Sequence, residues 1–217
     1  MQRFTLFHDG SNQGWQVVYL AYHVAARLGA SLLVLLVDPT IDNEMIAQRA
    51  AQVEVGGRAA GLAIRSRLIT DFTVEMVAKH ASGSAGLFVP GRLIQVEKSA
   101  DQLLEALSCP LWIVSEDSEI HKMALLVNDV VAEKGLIDYT TSLSNRLQEP
   151  LIGLVQEDKL ATARAYDVTL PWWPLPDFSS DQIDALLNQL GYNILFLPIS
   201  EINLVFDLSI NCVVYPA

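Results

Sequence analysis

Two short loops hold the residues whose chemistry has to be weighed first. His8-Asp9-Gly10-Ser11 follows the apolar run Phe4–Phe7. Gly91-Arg92 follows Leu87-Phe88-Val89-Pro90, with Lys98 and Ser99 a few residues on. Arg92, Lys98 and Ser99 suit an anion at a helix start, where backbone N–H groups and the helix dipole favour negative charge. Ser99-Ala100-Asp101-Gln102 reads equally well as an ordinary capping box, with serine at the N-cap and glutamine three residues on. Asp9 has a bland reading of its own, a turn-forming carboxylate that helps to start the next helix.

Catalytic and metal chemistry find less to work with. His8, His23, His80 and His121 are scattered, and no Ser-His-Asp or Cys-His set is suggested by local spacing. Cys109 and Cys212 are too few for a zinc site or a disulfide framework. They read as small buried hydrophobes, each preceding the last strand of its half.

The loops are positioned by a strand–helix alternation. Phe4–Phe7 is a strand, and Ser11 or Asn12 caps the helix after it. Trp15, Val18, Tyr19, Tyr22 and Ala26 fall on one face of a 3.6-residue period. Gly29 suits a left-handed cap, and Leu32–Val37 is an unbroken apolar run, as in a strand covered on both faces. Asn43 onward is a second helix, weakened at Gly56-Gly57. Ile64–Ile69, with Arg65 and Arg67 among apolar residues, is edge-like. A helix at 73–81, the strand Leu87–Val89, a helix after Ser99 and the strand Leu111–Val114 complete this half. Alternation of this kind predicts a parallel sheet wound by right-handed crossovers.

Residues 115–122 are polar and link to a second half that retraces the first. Met123–Val127 ends at Asn128-Asp129 as Phe4–Phe7 ends at His8-Asp9, which matches Asp129 to Asp9. Arg146-Leu147-Gln148 copies Arg27-Leu28-Gly29, Ser179-Ser180-Asp181-Gln182 is another capping box, and Ile194–Leu197 and Cys212–Tyr215 are the last strands. The copy is shortened between Val155 and Trp172. Trp172-Trp173-Pro174-Leu175-Pro176 cannot be a central strand and takes the place of the third strand, either as an edge segment on the core or as an aromatic patch for a partner.

The net charge of −11 argues against nucleic acid. Residues 118–217, with 5 Lys+Arg against 13 Asp+Glu, carry most of it. No apolar run reaches the ~20 residues of a membrane span, and Met1–Asp9 lacks the long apolar segment of a secretory signal. A cytoplasmic protein is the expectation.

In order and spacing these features resemble a tandem universal stress protein. The resembling residues are Asp9-Gly10-Ser11, Ala26-Arg27-Leu28-Gly29-Ala30, the fourth strand ending at Gly91, and Cys109-Pro110-Leu111-Trp112-Ile113-Val114. The resemblance implies an α/β fold of two doubly wound parallel five-stranded sheets, order 3-2-1-4-5, with helices on both faces. It implies domains at 1–117 and 121–217, the second degenerate. The two would be related by a pseudo-twofold axis through their fifth strands, so that one chain mimics a homodimer.

Many members of that family bind ATP through Gly-x2-Gly-x9-Gly-[Ser/Thr] after strand four. Here Gly91 can be the first glycine, but Ile94 stands at the second, Lys98 precedes Ser99, and the loop is short. After the second half's fourth strand, Pro198-Ile199-Ser200-Glu201 has no glycine at all, and Glu201 would repel phosphate. The resemblance places Asp9, Gly10, Ser11, Val37, Gly91, Arg92 and Ser99 around any nucleotide. The expected function is non-enzymatic stress response or regulation, with no cofactor or metal and with a protein partner. Further self-assembly remains open. The alternative is an adenine-nucleotide sensor taking ATP or AMP in the first half only; an enzyme of the same fold superfamily is the third reading.

Overall fold

The computed structural model describes residues 2–37, 43–69, 73–93, 100–115, 119–167 and 169–216. The chain divides into two compact units, Met1–Glu119 and Ile120–Tyr215.

The first unit runs β1 (Arg3–His8), α1 (Asn12–Leu28), β2 (Ser31–Val37), α2 (Asn43–Ala59), β3 (Ile64–Ile69), α3 (Val74–Ala81), β4 (Leu87–Pro90), α4 (Ala100–Ala106) and β5 (Leu111–Val114). Its strand order is β3-β2-β1-β4-β5, every pair parallel. Ser11 caps α1 through its Oγ, which accepts from the Gly14 N–H at 2.9 Å, and Gly29 ends the helix at φ 61°. The buried stripe of α1 differs from the periodicity's. It runs through Gly14, Val17, Val18, Leu20, Ala21, Val24 and Ala25, leaving Tyr19 56% exposed. A helix laid on a sheet of branched side chains needs small residues at the contact, so alanines and a glycine take the place of the larger Trp15–Tyr22 face. Beneath it Phe4 meets Phe88 edge-on at 5.6 Å, and Phe88 meets Trp112 at 4.7 Å.

The second unit runs β6 (Met123–Val127), α5 (Lys134–Leu147), β7 (Leu151–Gln156), α6 (Leu160–Tyr166), β8 (Trp172–Leu175), α7 (Ser180–Leu190), β9 (Ile194–Pro198) and β10 (Asn211–Tyr215), with 3-10 turns at Glu157–Lys159 and Ile199–Phe206. Its order is β10-β9-β6-β7-β8, again all parallel. The α7 capping box fails: Ser179 is the N-cap but makes no side-chain cap bond, and its N–H is held by Asp177 at 3.1 Å.

Strand register aligns the halves residue by residue. Leu6 pairs with Val34 and Phe88, and Leu125 pairs with Gly153 and Phe196. The left-handed helix ends Gly29 and Gln148 fall into line on the same count. This corrects the cysteine repeat. Trp112 and Val213 are equivalent, so Cys212 matches Leu111 and lies inside β10, whereas Cys109 precedes β5. Both thiols are buried, and burial pushes Cys109 up to about 11 and Cys212 to about 12.

The Trp-Trp-Pro segment is the terminal strand β8. Trp172 is buried over Gly153, where an added Cβ would lie 2.3 Å from the indole, and its Nε1 donates to the Asp167 carbonyl at 3.0 Å. Trp173 remains 47% exposed. A glycine in mid-strand therefore makes the room that lets an indole-bearing segment pair as a strand.

Candidate functional site

Between β1 and β4 the winding of the first sheet reverses, which is where open parallel sheets hold ligands. The β1–α1 turn brings Asp9, Gly10 and Ser11 to this point, and the end of β4 brings Gly91 and Arg92. Val37 is the last residue of β2, one step beyond the His8–Leu36 pair. Six of the seven expected site residues thus lie at the carboxyl ends of β1, β2 and β4. Ser99, and Lys98 with it, lie outside the described residues.

The polar groups of this crevice are already bonded to one another. Asp9 Oδ1 accepts from the Ser11 N–H at 3.1 Å and from its hydroxyl at 2.6 Å. Asp9 Oδ2 accepts from Arg92 Nε at 2.7 Å and also from Arg92 Nη2. Both guanidinium donors converge on the one oxygen, a charge-assisted contact, while Oδ1 is left to Ser11. Burial alone would raise the Asp9 carboxyl, but the bonds from Ser11 and Arg92 outweigh it and hold the group below the usual carboxylate range. The Asp9 side chain is only 9% exposed, while Arg92 is 52% exposed and closes the crevice from outside.

Gln13 completes the closure. Its Oε1 accepts the Arg92 N–H at 3.1 Å, and its Nε2 donates to the Ser115 carbonyl at 2.8 Å. One side chain of α1 thereby ties the ends of β4 and β5, and consumes a backbone donor that an anion would need. Sequence reasoning missed Gln13, because an exposed-looking glutamine in a first helical turn carries no motif.

His8 was also missed as a packing residue. It is 1% exposed, packs edge-on against Trp15 at 4.7 Å, and among the described residues neither ring nitrogen has a hydrogen-bond partner. Burial lowers its pKa from 6.5 to about 4; the nearby Asp9 carboxylate opposes the shift and Arg49 adds to it. Gly14 makes this arrangement fit, since a Cβ there would lie 2.4 Å from His8 Nδ1 and 2.7 Å from Asp9 Oδ1. Asp9 directs its bonds to Ser11 and Arg92 rather than to the imidazole, so the three side chains form no relay.

In the second unit the register corrects the match of Asp129 to Asp9: the equivalent residue is Asn128, and His8 corresponds to Val127. Asp129 instead closes an exposed turn, accepting from the N–H groups of Val131 and Ala132 at 2.8 and 3.1 Å. Asn128 Nδ2 donates to Glu201 at 2.6 Å, its N–H donates to Glu133 at 2.9 Å, and its carbonyl accepts from Lys159 at 2.8 Å. Glu133 is raised by burial, with Asp129 and Glu201 adding to the shift. A crevice edged by these carboxylates repels phosphate. Among the described residues no group of His, Cys, Asp and Glu is placed to hold a metal ion, and no helix is long and apolar enough to cross a membrane.

No protein-family model and no curated protein matches the sequence. Solved structures do match along the full chain. A protein of unknown function from Pseudomonas aeruginosa PAO1 is similar at 13% identity and a TM-score of 0.71, covering 100% of this chain and 92% of its own. A protein described as a universal stress protein, from Pseudomonas aeruginosa UCBPP-PA14, gives 14% identity and 0.71 over 100% and 93%. A universal stress protein from Archaeoglobus fulgidus gives 13% and 0.71 over 99% and 96%. At these identities the likeness is one of fold: an α/β architecture of universal-stress type.

Proposed function

We propose that the chain is a tandem of two universal-stress-type domains, residues 1–117 and 121–217, the second degenerate. It acts in the cytoplasm as a non-enzymatic stress-response or regulatory protein, by binding a protein partner rather than by turnover. The observation that carries this reading is the closed crevice of the first unit. Asp9 is bonded to Arg92, and the Arg92 N–H to Gln13. The glycine motif that would cradle phosphates is broken at Ile94 and Lys98. A ligand would have to break this charge-assisted ion pair before making its own contacts, and each such charged bond is worth about 1.5–3 kcal/mol.

The alternative, an adenine-nucleotide sensor using the first domain alone, is favoured by one feature. Arg92 is half exposed, so it can swing away from Asp9 and meet a phosphate. Calorimetric titration with ATP and with AMP decides between them. The first reading expects no saturable binding by the wild type. Saturable binding that Asp9→Ala weakens about tenfold or more would establish the sensor instead. An ATP hydrolysis assay on the same protein is expected to show no turnover above background.

The same reading sets the fifth strands of the two domains, β5 and β10, antiparallel to one another about a pseudo-twofold axis. Both strands are apolar, and each stands at the end of its own unit's order. A polar substitution at Trp112 or Val214 is then expected to lower the stability of both domains in one cooperative unfolding transition. If residues 1–117 alone remain a monomer of undiminished stability, the pairing is wrong.

A further inference from the structure

The strands at the other ends, β3 and β8, show how this chain treats an open sheet edge. A terminal strand turns alternate N–H and C=O groups away from its neighbour, and such a row templates the addition of another strand. The Leu32 N–H bonds to the Ala63 carbonyl, so Arg65 and Arg67 aim their backbone groups at β2, while Ile64, Ser66 and Leu68 turn theirs outward. The central outward donor does not point to solvent. The Ser66 N–H is taken by Glu54 Oε1 at 3.0 Å, and the Ser66 hydroxyl by the same oxygen at 2.6 Å. Glu54 reaches over from α2, with Arg58 Nη2 steadying its other oxygen at 2.7 Å.

The second unit solves the same problem with different chemistry. Gly153 N–H bonds to the Pro171 carbonyl, so Trp172 and Pro174 face outward on β8. By register Pro174 stands where Leu68 stands on β3, and proline has no N–H to offer. Two unrelated devices at successive outward-facing positions of equivalent terminal strands, Ser66 on β3 and Pro174 on β8, are hard to ascribe to packing, because neither fills the core.

We infer that Glu54 and Pro174 are edge guards that hold β3 and β8 closed to strand addition, and that the partner they exclude is a second copy of this chain. Identical edges are self-complementary about a twofold axis, which makes another copy the ever-present candidate. Leu68, 46% exposed beside the guarded donor, adds an apolar contact that such pairing would bury. Arg65 and Arg67, both exposed, assist Glu54: in any antiparallel pairing of two β3 strands that is centred on this stretch, arginine faces arginine.

The test uses the full-length chain with Glu54→Ala, Arg65→Thr and Arg67→Thr combined, studied by sedimentation velocity over a concentration series and by amide hydrogen exchange. At low concentration the Ser66 amide is expected to exchange at least about tenfold faster than in the wild type, having lost a charge-assisted bond. As concentration rises, the variant's mean mass should climb above the wild-type value while Ser66 becomes protected again. Restoring Glu54 in that background, or placing Glu54→Gln there to keep an acceptor oxygen, should return both readings towards wild type. Separately, Pro174→Val should self-associate through β8, a reading independent of how well the first variant folds. Wild-type sedimentation by both variants overturns the inference. So does association that persists undiminished when Glu54 is restored.

Discussion

Gly153→Val is expected to move the unfolding transition to markedly lower denaturant, with a loss of about 3–5 kcal/mol, the cost of losing a large core side chain. The cause is steric and local. The Trp172 ring occupies the space above Gly153, with Cε3 2.3 Å and Cζ3 2.5 Å from where a Cβ would sit. Those atoms belong to a rigid ring packed into the core, so they cannot yield as a flexible chain end would. Either the indole is expelled, or β7 and β8 part. The first unit shows the other solution at the same register, Val34 opposite Ser66. Gly153→Val should therefore cost far less, under about 1 kcal/mol, in a Trp172→Ser background. A double-mutant cycle from urea unfolding measures the coupling. Equal costs in both backgrounds would mean that the indole does not set the identity of residue 153.

The second large effect is on pH dependence. His8 titrates at 6.5 when exposed and at about 4 in the folded protein. Between those values the unfolded chain binds a proton that the folded chain refuses, so acid favours unfolding. The contribution of His8 is complete above pH 6.5 and is lost as pH falls through about 4. Its size is on the order of 3 kcal/mol, from the energy equivalent of one pKa unit. The groups facing the imidazole are Asp9, which works against the shift, and Arg49, which reinforces it. His8→Val imports the residue that the second unit carries at this register, Val127. The stability difference between wild type and His8→Val should change by roughly 2–3 kcal/mol between pH 7.5 and pH 4.5, with the variant less acid-sensitive. Asp9, held below the usual range, is lost at still lower pH and leaves this window nearly undisturbed. Parallel pH profiles for the two proteins would show that the buried imidazole is not the cause.

Both predictions rest on places where the two halves hold different residues at one register, and that comparison could not be made from the sequence. Matching by residue type set Asp129 against Asp9 and Cys212 against Cys109. Each pairing was out of register, Asp129 by a single residue and Cys212 by two. A one-residue slip along a strand turns a side chain to the opposite face, so it exchanges a crevice position for an exposed turn. The β6–α5 connection is longer than the β1–α1 connection, which hides the slip from anyone counting outward from the helix.

What the sequence by itself determined was the succession of elements and the places where they stop. The unbroken run Leu32–Val37, the serine before α1, Gly29 after it and the arginines of β3 each report local physics. Periodicity, capping and left-handed turns act over a few residues and leave their mark there. The location of the candidate site was legible for the same reason, because it lies where strands end. Whether that site is open was decided only by the tertiary structure. Arg92 reaches Asp9 across 83 residues of chain, and Gln13 reaches Ser115 across 102. Bonds between residues so far apart impose no period and no composition on the segments between them. They exist because parallel winding delivers the ends of β1, β4 and β5 to one place, and a chain read in order does not contain that proximity.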